Sequence, residues 1–195
     1  MFSFFFPSNI FNLLEKLIKF INSIFFIFLT IGLTFALVIS PPDYLQGESV
    51  RIMYVHVPSS WIGLACYLAI AIMSVLNFVF KIKIFTLINK CIAPIGLLFT
   101  CLSVITGSIW GKPTWGTLWV WDARLTSMLV LLFFYIFYIL SLKLIASKNM
   151  SLRVSTFIAI IGSLNIPIIK YSVDWWNTLH QPATISKFDR PSMDS

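Results

Sequence analysis

Charge is scarce in this chain: only 11% of its 195 residues are Asp, Glu, Lys or Arg, and only seven are acidic. A water-soluble domain of this length needs far more polar surface than that. With 58% hydrophobic residues, the chain reads as an integral membrane protein of one domain or less. Cysteine is scarce too. Cys66, Cys91 and Cys101 lie in or beside apolar runs without CxxC or CxxCH spacing. That excludes a disulfide framework, a thiolate zinc site and covalent haem attachment, and leaves three small hydrophobes. There is no glycine-rich phosphate loop, so ATP hydrolysis has no support in this chain. The net charge of +7 is dispersed along the sequence, whereas nucleic-acid binding needs a dense basic patch. No small-residue cleavage site follows the first apolar run, which is expected to remain as a span.

What is present is apolar length. Uncharged or nearly uncharged segments at 20–40, 52–80, 91–109, 125–142 and 150–169 each suit a crossing of about 30 Å at about 1.5 Å per residue. The second is longer than one crossing needs. Its opening, IMYVHVPSSW, is expected at the membrane surface with Pro58 near the helix start, which leaves 60–80 as the span. Gly111, Pro113 and Gly116 argue against a continuous helix after Trp110, and Pro167 is expected to bend or end the fifth span. Residues 11–20 mix apolar and charged positions and suggest an interfacial helix leading into the first span. The expected fold is therefore all-α, a polytopic helical bundle with five transmembrane helices.

Charge orients the array. Segments on the N-terminal side carry Lys16, Lys19, Lys81, Lys83, Lys90, Lys143, Lys148 and Arg153 against Glu15 alone. The opposite side balances Arg51, Lys112, Arg124, Lys170, Lys187 and Arg190 with Asp43, Glu48, Asp122, Asp174, Asp189 and Asp194. The positive-inside rule then places the N-terminus in the cytoplasm. All seven tryptophans and both histidines, His56 and His180, fall on the outer side.

That asymmetry carries the functional reading. Trp110, Trp115, Trp119 and Trp121 crowd into twelve residues of WGKPTWGTLWVWDARLT. If TLWVWD is extended, Trp119 and Trp121 share a side; if helical, Trp115 and Trp119 stack four apart. Interfacial anchoring accounts for some tryptophans in any membrane protein, but such a cluster also suits a planar apolar ligand. Arg124, with Lys112 a lesser candidate, would pair with ligand carboxylates, and Asp122 would either orient Arg124 or cap the following helix. Two neutral imidazoles would suit the axial positions of a haem iron. A four-coordinate zinc site lacks two further ligands.

Three blocks carry a resemblance: HVPSSW at 56–61, the tryptophan-rich 110–126, and WWNTLHQPATI at 175–185. Together they resemble the heme exporter protein C family, whose middle block is shared by a wider haem-handling (WWD-type) superfamily. The resemblance implies that His56 and His180 are axial ligands to non-covalent, b-type haem. It also implies that an external loop over 110–126, with Trp110, Trp115, Trp119, Trp121, Asp122 and Arg124, contacts the cofactor, Arg124 at a propionate. Members similar to this chain present haem to a periplasmic, membrane-tethered haem chaperone for c-type cytochrome biogenesis. They work beside a small single-span subunit and an ATP-binding-cassette transporter pair. That implies a delivery subunit in the bacterial inner membrane rather than an independent enzyme; the mitochondrial inner membrane is the second location. The family ordinarily has six spans, so residues 1–195 read as one haem-handling domain without the final helix. The competing classes are a structural scaffold subunit and a bis-histidine electron-transfer subunit.

Overall fold

The computed structural model describes residues 7–176, 179 and 180. The chain divides into two compact units, Met1–Arg51 and Ile52–Ser195. Among the described residues there are five helices long and apolar enough to cross a membrane.

In the first unit, α1 spans Pro7–Thr34 and ends in a π-helical turn, Phe35–Ile39. It runs unbroken through 11–20, so the stretch expected to lead into the first span is helical and continuous with it. The Ser40 amide donates to Phe35 O at 2.8 Å, closing the wide turn. Carbonyls at such an end have no helical partner. The Arg51 guanidinium supplies them, donating to Leu37 O and Ser40 O while pairing with Glu48 at 2.8 Å. A tight turn follows the span: Asp43 Oδ1 accepts from the amides of Leu45 and Gln46, and Gly47 takes the left-handed conformation (φ +57°) that closes it.

The second unit is built on α2 (Val50–Phe80), α3 (Ile84–Trp115), α4 (Ala123–Leu144) and α5 (Lys148–Trp175). Residues 81–83 and 145–147 are too short to do anything but turn the chain back, which makes these helices antiparallel neighbours. α4 packs most extensively on α5 and next on α3. With no aqueous driving force between helices in lipid, close contact relies on small residues and interhelical hydrogen bonds. Both are present. Tyr135 of α4 buries its ring over Gly96 of α3 and donates to Gly63 O of α2 at 2.6 Å. Tyr67 of α2 lies over Gly162 of α5 and donates to Ile158 O at 3.0 Å. The two phenol rings meet edge to face at 4.8 Å. Asn165 of α5 donates to Ser127 O of α4 at 2.7 Å, and Asn89 of α3 to Ser74 Oγ of α2 at 3.1 Å.

The structure corrects the sequence reading at the helix ends. IMYVHVPSSW is not separate from the helix: it forms the first turns of α2, with Pro58 inside the helix. Beside the proline, Ser59 donates to Val55 O at 2.6 Å and Ser60 to His56 O at 2.9 Å. α3 likewise passes Gly111 and Pro113 and stops only after Trp115, where Gly116 adopts φ 80° and donates to Lys112 O. Pro167 does not end α5, which continues to Trp175. In hydrocarbon no water competes for the freed carbonyls, so a helix survives breakers that would terminate it in solution.

Candidate functional site

One end of the second unit collects the start of α2, the end of α3, the start of α4 and the residues after α5. Every residue singled out from the sequence as a ligand or contact lies there. Residues 177–178 and 181–195, which include part of the third sequence block, fall outside the described residues.

Asp122 organises this end. It is the N-cap of α4, extended at φ −88° and ψ 167°, and its Oδ1 accepts from the Leu125 amide at 2.7 Å. Its other oxygen, Oδ2, lies 3.0 Å from Nδ1 of His180. A carboxylate can only accept, so His180 Nδ1–H donates and Nε2 keeps its lone pair. Both partners are well covered, with side-chain exposures of 14% for His180 and 5% for Asp122. Burial pushes the His180 pKa below its ordinary value, against the hydrogen bond and charge of Asp122, which act the other way. The contact is therefore that of a neutral imidazole with a carboxylate. Of the two roles read for Asp122, the capping one is realised; the histidine contact was not visible from sequence.

His56 is held differently. Its Nδ1 donates to the Ser103 carbonyl at 2.9 Å, with Thr106 Oγ1 at 3.2 Å. Its ring fills the space over Gly107, where a Cβ would meet Cε1 at 2.9 Å. Here too Nε2 is the unprotonated nitrogen. His56 and His180 lie within electrostatic reach of one another and of Arg124.

The rings fall into two sets. Trp110, only 2% exposed, packs edge to face on Trp115 at 5.2 Å, and Trp115 meets the His180 ring at 4.8 Å. Trp110 is thus a wall behind the histidine. Trp119 and Trp121 lie in the non-helical 116–122 link and contact each other at 5.5 Å, so the helical alternative does not hold there and no Trp115–Trp119 stack is found among the described residues. Trp121 is 76% exposed, while Trp119 Nε1 is buried without a hydrogen-bond partner among the described residues. Trp175 stacks on Tyr171 and touches Trp176; these two tryptophans and Trp61 are more than half exposed, as interfacial anchors are.

Arg124 is half-buried, within electrostatic reach of Asp122 and Asp174, and makes no ion pair among the described residues. Lys112 is exposed at the last turn of α3. No group of three or more metal-ligating side chains occurs among the described residues. Two imidazoles with Nε2 lone pairs, with a guanidinium and an indole N–H that have no ion-pair or hydrogen-bond partner respectively among the described residues, fit a flat, anionic group such as haem. They do not make a cage for a bare cation.

The heme exporter protein C family model matches residues 1–195. A heme exporter protein C from Haemophilus influenzae is 41% identical over 187 residues, covering 96% of this chain and 76% of that protein. The one from Escherichia coli K12 is 45% identical over 156 residues, covering 80% of this chain and 64% of that one. A cytochrome c biosynthesis ccmC-like mitochondrial protein from Marchantia polymorpha is 51% identical over 150 residues, 77% of this chain and 63% of its own length. The chain thus spans under two thirds of the length of the Marchantia and Escherichia relatives. With the family model matched from first residue to last, this chain belongs to the heme exporter protein C family.

Proposed function

We propose that this end of the bundle binds haem as non-covalent cargo outside the cytoplasmic membrane and presents it to a membrane-tethered haem chaperone for c-type cytochrome biogenesis. His56 and His180 are the axial ligands, Trp115, Trp119 and Trp121 contact the macrocycle with Trp110 behind them, and Arg124 takes a propionate. A small single-span subunit and an ATP-binding-cassette pair complete the assembly, in the bacterial inner membrane with the N-terminus cytoplasmic. The chain delivers; any covalent bond to haem forms on the chaperone.

The observation that carries this reading is the shared tautomer. Each imidazole spends Nδ1–H on a protein acceptor, the arrangement that fixes a ring and directs Nε2 to a metal. Bound haem would supply the iron that accepts both lone pairs; the chain's own groups orient the rings and neutralise a propionate. Partial exposure at Trp121 leaves an edge of the site open to a partner. Release matters as much as binding, because affinity differences appear chiefly in off-rates.

Purified protein should show a low-spin bis-histidine haem spectrum near one haem per chain, and an added chaperone should draw that haem away. Haem that cycles between redox states without leaving would favour an electron-transfer subunit, and absence of haem would favour a scaffold. Removing both loop rings, Trp119→Ala with Trp121→Ala, should weaken haem retention by roughly 5–150-fold, on about 1–3 kcal/mol for two aromatic contacts. Membrane insertion should be unchanged. Retention equal to the parent would reduce these two side chains to anchors.

A further inference from the structure

The two imidazoles are supported unequally. His56 Nδ1 leans on a neutral backbone carbonyl at 2.9 Å, whereas His180 Nδ1 donates to a buried carboxylate at 3.0 Å. The same carboxylate starts α4 through its other oxygen, so Asp122 is anchored before it meets the ring. A hydrogen bond to a charged acceptor is about twice as strong as one between neutral groups, and it makes the imidazole a better electron donor at its far nitrogen.

We propose that Asp122 touches no part of the haem but is the positioning residue for His180, making His180 the stronger axial donor and leaving His56 as the weaker bond, the one that yields first on handover. The assignment rests on the haem-ligand reading above. It follows from two things: Asp122 is buried with each oxygen already accepting a hydrogen bond from the protein, which holds the carboxylate against His180 and the start of α4, and among the described residues the Nδ1 partners of His56 are an uncharged carbonyl and an uncharged hydroxyl. Outer partners of this kind act on affinity and on redox potential together.

Asp122→Asn and Asp122→Ser test this, because Asn and Ser are both good N-caps and preserve the start of α4. Asn can keep its oxygen on the Leu125 amide, but it then offers an N–H donor where His180 needs an acceptor; Ser offers nothing there. Haem-loaded protein should lose haem about tenfold faster in either variant, the low end of the range for such outer partners. The midpoint potential should rise by about 59 mV for each tenfold loss of ferric over ferrous affinity. Thr106→Val, which removes the secondary partner of His56 together with that hydroxyl's own bonds to Leu102 O and Ser103 O, should shift both quantities less. A potential and haem off-rate equal to the parent in both Asp122 variants, with only the melting temperature lowered, would make Asp122 a cap and nothing more. An equal shift in Thr106→Val would overturn the asymmetry. A parent protein that binds no haem would overturn the ligand reading itself, and the positioning role with it; the two failures are therefore distinguishable.

Discussion

His180→Ala should cut the haem copurifying with the chain by about tenfold or more, since losing a ligand costs at least as much as losing a ligand's outer partner. The remaining spectrum should be that of a single axial imidazole. The change removes the Nε2 lone pair and also leaves Asp122 Oδ2 buried without its donor. An unsatisfied buried acceptor costs about 1–3 kcal/mol or more when charged, so some loss of melting temperature should accompany the loss of haem. Added imidazole separates the two effects: a free ring entering the gap should restore the parent spectrum if the side chain served as a ligand. His56→Ala should behave alike and is the cleaner partner experiment, because the Ser103 carbonyl it frees carries no net charge. Haem yield and spectrum matching the parent in His180→Ala would remove that histidine from the site.

The second large effect is structural. Gly162→Ala and Gly96→Ala each place a methyl where a tyrosine ring already sits: the added carbon at Gly162 would fall on the Tyr67 hydroxyl and 2.6 Å from its Cζ, and that at Gly96 would fall on the Tyr135 hydroxyl and 2.5 Å from Cζ. Neither ring has room to withdraw, since both are fully buried and packed against each other. Overpacking of this kind costs about 1–3 kcal/mol, and displacing the phenol from Gly63 O or Ile158 O loses roughly another 1 kcal/mol. Thermal unfolding in detergent should show a clear fall for each, and the double variant should express poorly. Tyr67→Leu introduced alongside Gly162→Ala should recover part of the loss. A melting temperature unchanged in both single variants would mean that the helices are not held at these contacts.

The spans were legible because an uncharged run long enough to cross a bilayer has few other uses, and five such runs became five helices. Their ends were not legible. Pro113 and Pro167 read as breakers by rules calibrated in water, and Pro58 as a helix-start residue, yet all three lie inside helices. Asp122 was readable as a cap, since an acidic residue three before an apolar position is a local signal. Its second contact joins residues 58 apart and has no local signature. The site cluster was half visible: the tryptophans and histidines announced themselves by type and position, but composition could not separate buried Trp110 from exposed Trp121. Gly107, the residue that makes room for His56, looked like any glycine in a span. So did Gly96 and Gly162, although a glycine and a tyrosine in different spans of one small protein are a pairing worth seeking.

Those phenols have a consequence for the far end of the molecule. Sliding one helix along its neighbour by a single residue moves it about 1.5 Å, enough to drag a hydroxyl off its carbonyl and a ring off its glycine. Tyr67 and Tyr135 between them engage α2, α3, α4 and α5, so all four are locked at fixed heights by two side chains near the middle of their helices. His56, Trp115 and Asp122, carried on three separate helices, inherit that levelling with no covalent tie among them.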